Sequence, residues 1–218
     1  MSMLCVYCAG GLGRDFLSLL EATNTGNWEE VVFIDDVTTE KVINNVRVFN
    51  FQEFQNKGYI KEQCEFVVLN GEPLFRKQLF QNILNYEYKI AKVIFKSTVV
   101  AQNSCIGQGS IIHCQSIVSS DSTIEENVFI GKKAMIGHDV HVGKHSVISA
   151  CSYIGGWVNI GEGCFIGAGA VIKDRVDIGK SSVVGIGSVV INDVPDNTVV
   201  VGNPARFLRK NEKKIVFN

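Results

Sequence analysis

Net charge is almost absent: 21 lysines and arginines against 22 aspartates and glutamates leave the 218-residue chain at -1. That balance supplies no basic surface for nucleic acid and no attraction to an acidic membrane, so neither is expected as a partner. Long apolar runs are missing too. No stretch approaches the ~18 residues that suggest a membrane span, and residues 1–20 lack a basic start, a sustained apolar core and a cleavage site. A cytoplasmic location is the expectation. The seven cysteines (Cys5, Cys8, Cys64, Cys105, Cys114, Cys151, Cys164) are odd in number and form no framework, as in a reducing compartment. Cys5 and Cys8 spell C-x-x-C, but they sit in an apolar strand pattern where residues three apart face opposite sides, which argues against a metal or redox pair.

What the chain has in abundance is a period of six. Isoleucine or valine stands at Ile94, Val100, Ile106, Ile112 and every sixth residue on to Val184 and Val190, seventeen positions in all. Two residues earlier the side chain is mostly small (Ser104, Ser110, Ser116, Ala134, Ser146, Cys164, Ala170), and the residue after is often glycine (Gly107, Gly131, Gly137, Gly143, Gly155, Gly161). In a strand residues two apart share a face, and six residues hold one short strand and one bend. Three such sides close a triangle of about 18 residues, giving between five and six coils stacked about 4.8 Å apart. This is a parallel β-helix, with residues after Asp193 as its C-terminal cap. With 46% hydrophobic residues, the chain holds this repeat domain, residues 92–218, and a second compact unit, residues 1–91.

In that unit, residues 3–7 read as a buried strand, followed by Cys8-Ala9-Gly10-Gly11-Leu12-Gly13-Arg14 and a helix over residues 15–22. A glycine-rich turn between strand and helix is suited to an anion, because backbone N–H groups of the first helical turn point at it. A second strand, residues 31–34, ends in Asp35-Asp36. A third, residues 66–69, ends in Asn70-Gly71, with a helix over residues 74–84. The order is that of a Rossmann-like half domain with three or four strands, whose ligands bind at strand C-terminal ends. G-G-x-G is not G-x-G-x-x-G, and NAD is not expected. The same residues also fit a plain strand-to-helix turn with Asp35 and Asp36 capping or solvating a loop.

The four histidines, His113, His138, His141 and His145, each occupy a different register of the repeat. They cannot stack in one column, and the spacing does not suit a zinc site shared between β-helices, so no metal is expected. His138-Asp139 is the better chemical candidate. A neutral imidazole can take a proton from an attacking group, and a carboxylate fixes its tautomer. Adjacent residues in a flat strand face opposite ways, so the pair needs a corner just past Gly137. A solvated surface pair is the alternative.

The hexapeptide array, the closing Val201-Gly202-Asn203-Pro204-Ala205-Arg206, and Gly10-Gly11-Leu12-Gly13-Arg14 with Asp35-Asp36 together resemble one bacterial sugar acetyltransferase family. It includes sialic acid O-acetyltransferases, perosamine N-acetyltransferases and N-acetyltransferases acting on UDP-4-amino-4,6-dideoxy sugars. The resemblance implies left-handed β-helix homotrimers, with acetyl-CoA in the groove between two neighbouring β-helices and a nucleotide sugar on the N-terminal domain. It places the catalytic histidine at His138 and its acidic partner at Asp139, where some relatives carry glutamate. It assigns the N–H that meets the acetyl carbonyl to Gly156, coenzyme A contacts to Ala168 and Ile186, and nucleotide-sugar contacts to Gly10, Gly11, Leu12, Asp35, Asp36 and Asn70. Two departures stand out. Val147 replaces a coenzyme A-contacting histidine, with His145 two residues earlier and, in an extended strand, on the same outward face. Leu12 replaces a frequent histidine, leaving only backbone contacts there. The activity implied is acetyl transfer to the amine of a nucleotide-linked amino sugar, with His138 as general base. The alternatives are O-acetylation of a sialic acid or related sugar, and a non-catalytic β-helix that binds a sugar nucleotide or serves assembly.

Overall fold

In the computed structural model, which describes residues 2–217, the chain opens with β1 (Met3–Tyr7), α1 (Gly11–Ala22), β2 (Glu30–Ile34), β3 (Val42–Ile43), β4 (Val46–Phe49), α2 (Phe51–Asn56), β5 (Cys64–Val68), α3 (Pro73–Asn85) and β6 (Lys89–Ile90). The sheet has six strands in the order β3-β4-β2-β1-β5-β6, more than the three or four expected. The extra hairpin turns through Asn44 and Asn45, both at positive φ, and α2 starts on a capping box in which Asn50 and Glu53 bond each other's backbone N–H. Both signals are short, and neither carries a hydrophobic period. The central strand β1 pairs in parallel with β2 and β5, which pair in parallel with β4 and β6 in turn, and the alternation of β1 sends Leu4 and Val6 toward α1 and Met3, Cys5 and Tyr7 toward α2 and α3. Cys8 breaks that alternation. At φ 87 it leaves the extended conformation and packs at the edge of the same cluster as Cys5, against the expectation that the two face opposite sides. All seven cysteines are free.

From β7 (Val93–Ile94) to β23 (Val189–Val190) the chain is a series of two-residue strands, one per hexapeptide. Strands one coil apart pair in parallel: Ile111 meets Phe129, Ile117 meets Met135 and Thr123 meets His141. The isoleucine and valine stripe from Ile112 onward fills the interior. Each fully buried side chain of this size contributes roughly 1.5–3 kcal/mol. The small inward residues complete the coils chemically. Ser110, Ser122 and Ser146 donate their hydroxyls to the carbonyls of Glu125, Gly137 and Gly161 at 2.7, 2.7 and 2.9 Å. The stripe fails at its start, where Ile94 is 37% exposed and Val100 and Ile106 are only partly buried, because no earlier coil covers them. At the other end β24 (Thr198–Val201) adds a parallel strand beside Val183–Val184 and returns antiparallel as β25 (Arg206–Lys210), while Val194, Val200 and Ala205 close the interior.

The outward residues give each face a different fate. On the first, Ile111, Phe129 and Val147 are buried against Phe16, Leu17 and Leu20 of α1. On the second, Val99, Met135, Tyr153 and Val171 remain exposed. The third presents Cys105, Thr123, His141, Asn159 and Asp177. Arg76 of α3 ties the two parts together: fully buried, it donates to the carbonyls of Val68 and Asn70 and to both oxygens of Asn127 on the β-helix. No helix among the described residues is long and apolar enough to cross a membrane.

Candidate active site

Each coil turns a corner on a residue at positive φ. At one corner these are Asp139, Trp157 and Arg175, stacked through Trp157 N–H to His138 O (3.0 Å) and Arg175 N–H to Gly156 O (2.9 Å). The corner does what a flat strand could not: His138 and Asp139 meet side chain to side chain, Nδ1 to Oδ2, at 2.8 Å. Nδ1–H donating to the carboxylate leaves Nε2 as the basic nitrogen, and the ring is 47% exposed. Two neighbours fix its position. A Cβ on Gly156 would lie 2.8 Å from the ring's Nε2 and Cε1, so glycine is what leaves room for the ring in this position, and Trp157 meets the ring edge-on at 4.3 Å. The Arg175 guanidinium lies over the indole at 4.1 Å.

The Gly156 N–H, expected to face an acetyl carbonyl, is already engaged. It donates to Asp174 Oδ1 at 3.0 Å. Sequence reasoning passed over Asp174, although His138, Gly156 and Asp174 are one coil apart in turn, a relation visible once the sequence is written eighteen residues to a row. Ala168 and Ile186 are exposed at another corner, that of Cys151, Gly169 and Gly187, joined to each other through Gly187 N–H to Ala168 O at 2.9 Å. Within one chain they therefore lie at a different corner from His138 and Gly156.

The N-terminal residues converge at the C-terminal ends of adjacent strands. Asp35 accepts from Ala9, Val37 and Thr38 N–H, at 2.8, 3.0 and 3.0 Å. These three backbone bonds hold its carboxyl below the usual range against the opposing effect of burial. Asp36 accepts from the Tyr7 hydroxyl and from Phe51 N–H, and Asn70 reaches Cys8 Sγ and Glu72 N–H. The loop-capping role of the aspartates is thus present, and it is what draws the glycine loop against β2. The helix starts at Gly11, four residues earlier than expected. Gly10 and Gly11 face open space where an added Cβ would meet nothing within 4 Å, whereas one on Gly13 would collide with the Cys8 carbonyl. Leu12 packs against the cluster between the two domains.

The other histidines have other partners. His113 is buried, stacked on Phe95 at 4.4 Å, with burial pushing its pKa down to about 4. His141 bonds Asn159 and lies 3.3 Å from Glu125. His145 is not in an extended strand but at a left-handed corner (φ 63), buried and bonded to Asn127, while Val147 lies under α1. The expected shared outward face does not exist.

Comparison with known proteins agrees with this architecture. Residues 121–156 match the family described as "Bacterial transferase hexapeptide (six repeats)", and residues 158–191 that described as "Hexapeptide repeat of succinyl-transferase". The acetyltransferase domain of PglB from Neisseria gonorrhoeae FA1090, solved in complex with acetyl coenzyme A, is 30% identical with a TM-score of 0.88, covering 94% of this chain and 98% of that one. WeeI from Acinetobacter baumannii AYE is 26% identical with a TM-score of 0.88, over 95% of this chain and 100% of that one. GDP-perosamine N-acetyltransferase of Escherichia coli O157:H7 is 27% identical over 115 residues, so the match spans about half of that relative, 51%. With similarity running through both the α/β unit and the coils, the chain belongs to the hexapeptide-repeat, left-handed β-helix family of bacterial sugar acetyltransferases.

Proposed function

We propose that this chain transfers the acetyl group of acetyl-CoA to the amine of a nucleotide-linked amino sugar, of the UDP-4-amino-4,6-dideoxy type. The observation that carries this reading is the 2.8 Å His138–Asp139 pair, half exposed above a glycine. His138 Nε2 takes a proton from the sugar amine as the nitrogen attacks the thioester carbonyl, and Asp139 stabilises the imidazolium. Acetyl-CoA as donor is supported by the PglB domain, and a nucleotide amino sugar as acceptor by the name of the perosamine relative. The open space at Gly10 and Gly11, next to the first turn of α1, suits a phosphate of that acceptor, with Asp35, Asp36 and Asn70 around it.

Gly156 serves as oxyanion donor once Asp174 swings away. Ala168 and Ile186 take the coenzyme, and because they occupy a different corner from His138, one coenzyme touching both sets spans two subunits. A homotrimer provides this groove, and the exposed Val99, Met135, Tyr153 and Val171 between the two corners provide its contact surface. Seven free thiols fit a cytoplasmic location. The test is His138→Ala, assayed by coenzyme A release with UDP-, dTDP- and GDP-amino sugars. Turnover should fall by about 10²–10⁴ with assembly unchanged. Wild-type turnover in that variant overturns the assignment.

A further inference from the structure

At the third corner of the β-helix, away from His138, a groove of about 550 Å³ opens between α3 and the stacked turns, lined by Leu74, Lys77, His145, Glu162, Lys180 and Lys214 among others. Its C-terminal wall is held in place by Glu72, which accepts from Val216 and Phe217 N–H at 2.8 and 3.0 Å. His145 forms part of the floor and is only 6% exposed. Its protonation is dictated by a relay. Arg76 Nη2 donates to Asn127 Oδ1 (2.9 Å), so the Asn127 amide nitrogen is the end that faces His145 Nδ1, at 2.9 Å. Nδ1 therefore accepts, and the single proton of the neutral ring sits on Nε2. That N–H has no hydrogen-bond partner among the described residues, on a ring that lines the groove. Burial keeps the ring neutral, with its pKa pushed down to about 4.

Around this donor the charges are unequal. Lys77 is paired with Glu162 at 2.6 Å, and Asp196 accepts from the Lys180 backbone N–H at 2.7 Å. The ammonium groups of Lys180 and Lys214 enter no ion pair among the described residues. A buried neutral donor and two unpaired cations lining one groove suit an oxyanion. A lone phosphate would leave most of the groove empty, whereas the volume is that of an ordinary small-molecule site. We propose that this groove binds a phosphate-bearing small molecule, with its oxyanion between His145 Nε2–H, Lys180 and Lys214 and its organic part along Pro73 and Leu74. The site is independent of the acetyl-transfer reading, which is measured at another corner.

The test uses the full chain with ¹⁵N-labelled histidine, titrated with inorganic phosphate, pyrophosphate or ADP at matched ionic strength. The His145 ring signals should move saturably while those of His113 stay fixed. Lys180→Ala/Lys214→Ala, which changes only surface side chains, should weaken the effect about tenfold or more without altering the melting temperature. Tighter binding of ADP than of phosphate supports the organic half of the proposal, and equal binding overturns that half. No movement at His145, or the same movement in the double variant, overturns the whole.

Discussion

Gly156→Ala separates catalysis from stability. The new methyl carbon would sit 2.8 Å from Nε2 and Cε1 of His138, about 0.7 Å inside the ~3.5 Å contact distance, so the ring must rotate away. Rotation breaks the 2.8 Å bond to Asp139 and removes Nε2 from its place, forfeiting a general-base contribution of about 10²–10⁴, or roughly 3–5 kcal/mol of barrier. Stability should hardly change. The ring and its partner are 47% and 42% exposed, and an exposed pair of this kind contributes about 0–1 kcal/mol. Gly155→Ala gives the contrast. Its Cβ would meet, besides the movable Asp174 carboxylate, the Asp174 backbone N at 2.6 Å and the Ile172 carbonyl at 2.9 Å, and these two backbone groups belong to the coils and cannot swing aside. Overpacking there should cost about 1–3 kcal/mol or more. The assay is coenzyme A release under saturating acceptor, alongside thermal melting of both variants. Wild-type kcat/KM in Gly156→Ala, at an unchanged melting temperature, refutes the argument from ring position.

Three further outcomes follow from the geometry. Asp174→Ala frees the Gly156 N–H, so the KM for acetyl-CoA should fall by up to about tenfold, equivalent to 1.4 kcal/mol; a rise in KM with lower kcat shows that the carboxylate supports the site instead. His113 and His145 titrate near 4 when folded and near 6.5 when unfolded, so the unfolded chain binds the extra protons between those values. Stability is then full above pH 6.5 and falls as pH drops toward 4, by at most on the order of 3 kcal/mol per ring, and His113→Phe should flatten its share of the melting-temperature profile between those limits. Arg76→Met leaves the carbonyls of Val68, Asn70 and Asn127 without their buried donor, and denaturant unfolding should report a loss of about 3–5 kcal/mol; a loss under 1 kcal/mol contradicts the joint described for Arg76.

Legibility followed periodicity. The coils from Ile112 onward, the Gly137 corner and the His138–Asp139 contact were all readable, because a six-residue repeat fixes which way every side chain points. Where the period lapses, reading failed: the Asn44–Asn45 hairpin and α2 carry only turn and capping signals, and Cys8 escapes the alternation through one positive φ. His145 was misassigned for a related reason. Its position in the repeat is a left-handed corner, not a strand, and the side chain that holds it, Asn127, is bonded in turn to Arg76, 51 residues away from Asn127 in sequence.

The sequence by itself determined the coil, the inward stripe and the corner that brings an imidazole to its neighbouring carboxylate, since these depend on local dihedrals and a constant period. Tertiary structure alone decided which outward face α1 covers and that Arg76 sets the tautomer of His145 through Asn127. Such pairings depend on how coils stack and where α1 and α3 dock, and packing across long sequence separations leaves no trace in the order of neighbouring residues.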